Sequence, residues 1–100
     1  MREVIAIKDL VKFNPDFFQP NILYVSPKVK VPLICLDSGQ EIPPHPSALG
    51  IFYVIQGEGV FIKGDEKIDI KAGMLVIAPE GVERGIKSKD RLIVLAVQVT

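Results

Sequence analysis

The sequence holds one cysteine, one histidine and no excess of either charge, with twelve Lys and Arg set against twelve Asp and Glu. One cysteine cannot close an internal disulfide, so Cys35, in an apolar run, is expected as a small core thiol. A formal charge of zero gives no field to steer nucleic acid or anionic lipid, which excludes neither by contact but argues against both as partners. Long apolar runs are also missing. The longest, Leu92 to Val97, is six residues, against the ~18 that suggest a membrane span. The opening Met1-Arg2-Glu3-Val4 has no apolar core of a signal peptide, so a cytoplasmic, reduced setting is the expectation. Helical periodicity is absent as well, and only Asp9 to Phe13 has room for a helical turn.

What is present is isoleucine and valine. Thirteen of one and twelve of the other make a quarter of the 100 residues. Their stiff side chains suit strands, and the chain reads as all-β. Its length suits one domain, residues 1–100. Strand-like runs are Val4 to Ile7, Ile22 to Val25, Val31 to Leu36, Ile51 to Ile55, Val60 to Lys63, Glu66 to Ile70, Leu75 to Ala78 and Arg91 to Val99. Turn signals separate them, and hairpins are expected at Gly57-Glu58-Gly59 and at Gly64-Asp65. Such spacing fits a sandwich or barrel.

Two of these runs have no polar face. A half-solvated strand alternates, but Ile51 to Ile55 and Leu92 to Val97 are apolar throughout. Both are expected to be covered on two sides. A small barrel has one interior, so the second cover is expected from another subunit, making a homodimer. The competing arrangement folds segment 8–30 back over them within the chain.

The turn spacing carries a resemblance. Gly39, five residues, His45 and then Gly57 resembles the first cupin motif, G-x5-H-x-H-x3,4-E-x6-G. Gly73, five residues, Pro79, one residue and Gly81 is similar to the second, G-x5-P-x-G-x2-H-x3-N, and Phe52 to Gly59 looks like the cupin strand that precedes the first glycine turn. The likeness spans a barrel core of about 31–99, leaving an N-terminal strand and irregular arm over 1–30. It implies an antiparallel jelly-roll barrel, the double-stranded β-helix, with little or no helix, a pocket inside and a habit of dimerising. A small OB- or SH3-like barrel is the competing architecture.

The resemblance also implies four metal ligands, and three are replaced here. His45 matches the first histidine; Ser47 stands for the second, Gly50 for the glutamate, and Arg84 for the histidine of the second motif. Tight metal sites need three or four converging N, S or O donors. Arg84 instead brings a permanent positive charge to the cation's position, where like charges ~4 Å apart repel by several kcal/mol. Glu41 and Glu83 match no ligand position of the family. The expectation is therefore no bound metal and no cofactor.

The pocket expected from these positions comprises His45, Arg84, Ser47, Phe52 and Val54. A guanidinium pairs with carboxylate or phosphate, so the expected ligand is a small organic anion bearing one of these. Two other readings stay open: a metal-free isomerase or epimerase with His45 as base and Tyr53 or Tyr24 as acid, and a structural or regulatory dimer whose pocket is vestigial.

Overall fold

The structure is a computed structural model and describes residues 4–100. It contains nine strands: β1 (Asn21–Val25), β2 (Val29–Leu36), β3 (Glu41–His45), β4 (Leu49–Gln56), β5 (Glu58–Lys63), β6 (Glu66–Lys71), β7 (Leu75–Ala78), β8 (Arg84–Ser88) and β9 (Leu92–Val99). They form a five-stranded sheet in the order β1-β2-β9-β4-β7 and a four-stranded sheet in the order β3-β8-β5-β6, every pair antiparallel. This is the jelly-roll barrel that the sequence predicted.

Alternation builds the core. On β2, β4, β7 and β9 the even-numbered residues point inward: Ile34 and Leu36, Phe52 and Val54, Val76 and Ala78, Leu92, Val94 and Ala96. They meet Phe61, Ile70 and Ile86 from the other sheet, and Phe52 lies edge-on to Phe61 with ring centroids 4.9 Å apart.

Three sequence-based expectations need correction. Val4 to Ile7 is not a strand; the chain is irregular there and turns into a 3₁₀ helix over Ile7–Leu10. Gly57 is not in a hairpin, because β4 and β5 lie in different sheets. The glycine makes a sharp crossing instead, with φ of 91°, where a Cβ would collide with the Arg91 carbonyl. The third is an omission: β3 and β8 were not anticipated. The expected turn at Gly64-Asp65 does join β5 to β6, with Lys63 opposite Glu66 and the positive φ at Gly64 that a type II′ turn requires.

The outer face of the five-stranded sheet is covered over one half. Ile7, Val11 and Phe13, from the N-terminal arm, pack on Leu33, Cys35 and Ile93 beside Ile55 and Leu95. The arm thus supplies part of the second cover from within the chain. Farther along, Tyr53, Leu75 and Ile77 remain 44%, 57% and 48% exposed.

Candidate functional site

The two unanticipated strands carry the two residues singled out for chemistry. On β8, Arg84, Ile86 and Ser88 face inward while Lys87 is exposed, so Arg84 enters the barrel by simple alternation. On β3, Ile42 faces the core opposite Ile86, and His45 stands three residues further on. Unbroken alternation would turn His45 outward. The register shifts between Ile42 and His45, across Pro43-Pro44, and the bulge sets His45 opposite Arg84. Two prolines tolerate this break because neither has an N–H to lose from the ladder.

Arg84 is 3% exposed, and its guanidinium meets main-chain carbonyls only. Nε donates to Val82 at 2.8 Å, Nη1 to Ala48 at 2.7 Å and Nη2 to Pro79 at 2.9 Å, with longer contacts from Nη2 to Ser47 at 3.4 Å and Ala78 at 3.5 Å. The side chain therefore ties together the β3–β4 and β7–β8 connections. No carboxylate neutralises it; the one ion pair among the described residues is Arg91 with Asp37. Burial lowers the Arg84 pKa from its ordinary value, yet a guanidinium keeps its proton in proteins.

Gly50 explains how the arginine fits. A Cβ at that position would lie 2.8 Å from Arg84 Nη1 and 2.7 Å from Phe52 Cε1. The guanidinium and the Phe52 ring occupy the space that any side chain on residue 50 would need.

Beside the guanidinium is a cavity of about 70 Å³, lined by Ile34, Ile42, His45, Phe52, Arg84, Gly85, Ile86 and Gln98. His45 is exposed at its rim, and its Nδ1 lies 3.0 Å from the Pro43 carbonyl. A carbonyl only accepts, so Nδ1 carries the proton, and in the neutral ring Nε2 is left with a lone pair.

Of the expected pocket residues, His45, Phe52 and Arg84 come together around the cavity. Ser47 and Val54 do not line it: Ser47 offers its carbonyl to Arg84, and Val54 is deep in the core. Gln98 and Ile34 were missed. The even-numbered inward series on β9, Leu92, Val94 and Ala96, continues to Gln98 and was the signal that would have found it. Tyr53 lies on the outer face beside Ile55 and Leu95, and Tyr24 is exposed on edge strand β1; neither shares the cavity with His45.

The donor set does not fit a metal. One imidazole, a serine, a glycine and a buried guanidinium stand at the four positions, and among the described residues no three His, Cys, Asp or Glu converge. Glu41 and Glu83 are exposed, with Glu41 opposite Lys87 on the outer side of β3. Cys35 lies on the opposite sheet under the arm, where burial raises its thiol pKa.

A family model described as a cupin domain matches residues 32–98. No curated protein sequence matches the chain. Among solved structures, TT1209 from Thermus thermophilus is 24% identical with a TM-score of 0.91, over 98% of this chain and 97% of that one. An RmlC-like cupin from Desulfovibrio desulfuricans is 24% identical with a TM-score of 0.85, over 99% and 96%. The conserved SPY1581 protein of unknown function from Streptococcus pyogenes is 20% identical with a TM-score of 0.88, over 100% and 89%. At these identities the likeness concerns the fold.

Proposed function

The chain belongs to the cupin domain family, and from that premise we propose that it binds a small anion in the barrel cavity, with the Arg84 guanidinium as its fixed cation and no tightly bound metal. The observation that carries this reading is a buried positive charge beside a cavity with no carboxylate to balance it. Such a charge makes the adjacent space favourable for an anion.

Geometry narrows the ligand. Carbonyl contacts account for Nε, for both Nη2 donors and for one Nη1 donor, leaving one Nη1 N–H. A bidentate clamp needs two parallel donors, so the contact here is single. About 70 Å³ is several times what one water needs, and far below the ~300–1,000 Å³ of sites for drug-sized ligands. A carboxylate head group suits that space better than a sugar, which counts against an epimerase-type reaction in this cavity. The distant tyrosines point the same way.

His45 is the second polar group beside the cavity. Among the described residues, Arg84 and His45 are the only ionisable groups lining the cavity. In the neutral ring the Nε2 lone pair repels an anion; a second proton turns it into a donor.

The test is titration of metal-free protein with formate, acetate and phosphate, followed by thermal shift and by the amide and guanidinium resonances in NMR. Saturable shifts at His45 and Arg84 with a carboxylate support the reading. His45→Ala, at an exposed position, leaves the fold intact and is expected to weaken the anion-induced shifts. Unchanged spectra with all three anions reject it.

A second reading has its own observation. The carbonyl contacts of Arg84 cross-link two connections, which is what a structural clamp in a vestigial pocket requires. It predicts the same stability effects and no anion binding. The exposed Tyr53, Leu75 and Ile77 strip further supports a homodimer through the outer sheet face, since these side chains are register neighbours along β4 and β7. Light scattering at micromolar concentration checks it: twice the 11.0 kDa chain mass is expected, and a monomer rejects the dimer.

A further inference from the structure

The N-terminal arm and the barrel are joined by contacts of a particular kind. Among the described residues, the main-chain hydrogen bonds outside the strands include none between segment 4–20 and the barrel; Asp9 N–H bonds only to Ala6 within the arm. The Gln40 side chain donates to the Asn14 carbonyl at 2.6 Å. Arg91 sits over the Phe13 ring at 4.7 Å while its Nε reaches Asp37 at 3.4 Å. The remaining attachment is the packing of Ile7, Val11 and Phe13 on the outer face and of Phe18 against the inner core.

That packing is partial. Val4, Ile5, Leu10 and Phe17 on the same arm are left exposed, so half of the arm's apolar side chains gain little from docking. A cleft of about 260 Å³ separates Leu10, Lys12 and Asn14 of the arm from Leu33 and Cys35 of the sheet. Few shared backbone hydrogen bonds and incomplete apolar burial are the marks of a segment that opens below the cost of global unfolding.

We propose that residues 4–17 form a strap that detaches from the outer sheet face as a unit while Phe18 stays anchored on the inner core and the barrel stays folded, and that this opening controls access to Cys35. The arm has no ladder to break. Its release uncovers Leu33, Cys35 and Ile93, which adjoin the exposed Tyr53 through Ile55 and Leu95, so the open form presents one continuous apolar face. The closed form hides the thiol, which is 5% exposed. A strap of this kind makes the chemistry of Cys35 and the extent of the apolar face depend on one local equilibrium.

The inference concerns a face of the molecule remote from Arg84 and is independent of anion binding. Native-state labelling of Cys35 with an aromatic disulfide reagent tests it. The thiolate attacks one reagent sulfur, the S–S bond breaks, and one coloured aryl thiolate leaves for each Cys35 modified. At low urea the rate is expected to be at least ~10-fold below that of the urea-unfolded chain and nearly independent of urea, because strap opening exposes little surface. At higher urea it steepens to the slope of global unfolding. Phe13→Ala is expected to speed the low-urea rate several-fold. Ile86→Val, in the inner core, lowers global stability and leaves that rate unchanged. A full unfolding slope from zero urea overturns the proposal, since the arm then opens only with the barrel. So does a rate equal to the unfolded chain's, or one that Phe13→Ala does not alter, since the reagent would then reach the thiol with the strap closed.

Discussion

Arg84 and Arg91 lie seven positions apart and solve opposite problems. Arg91 is 63% exposed, leans on the Phe13 ring and pairs with Asp37, a surface arrangement in which water shares the charge. Arg84 is 3% exposed, has no carboxylate, and is held by carbonyls from the β3–β4 and β7–β8 connections. A carboxylate partner turns out to be the weaker attachment, since water screens it. What fixes Arg84 is the number of oriented carbonyl dipoles in a dry place, and that arrangement leaves its net charge uncancelled beside a cavity.

Replacing each arginine by methionine sharpens the contrast most. Arg84→Met leaves several part-buried carbonyls without their donors, and a loss of about 3–5 kcal/mol is expected in urea denaturation. The same change at Arg91 removes an exposed pair and one ring contact, for about 1 kcal/mol or less. Equal losses at the two sites would break the comparison. Gly50→Ala comes next: its methyl would press on Nη1 and the Phe52 ring, and about 1–3 kcal/mol is expected to be lost. If Gly50→Ala is neutral, the guanidinium is not fixed where the structure has it. The smallest effect is that of salt. Raising ionic strength from about 0.01 to about 1 M should shrink the Arg91→Met effect and leave the Arg84→Met effect nearly unchanged, because screening acts on exposed pairs.

The barrel was legible where its strands are apolar. Ile51 to Ile55, Leu92 to Val97 and Leu75 to Ala78 pack on the core and show it in their composition. β3 and β8 were hidden because their sequences carry Pro43-Pro44 on one and Arg84, Gly85 and Lys87 on the other, features that ordinarily mark loops. Yet strands with such residues place His45 opposite Arg84. The bulge that brings His45 to the cavity rim depends on pairing between segments some forty residues apart, which local pattern does not encode. Motif positions reached Arg84 and the small residue at Gly50, but not the carbonyls that bind the guanidinium, because main-chain acceptors have no signature in residue type. The two-faced apolar strands were read as needing cover, and part of that cover came from Ile7, Val11 and Phe13, in a stretch too irregular to announce its docking.

The central claim is that Arg84 provides the barrel's fixed positive charge and keeps one donor free for an anion. The most direct measurement follows the Arg84 guanidinium N–H and His45 ring resonances of chelator-treated protein during titration with acetate. The account predicts saturable shifts at both groups and no change on adding zinc or manganese. Resonances that stay fixed in acetate, or that move only once a divalent metal is supplied, would contradict it.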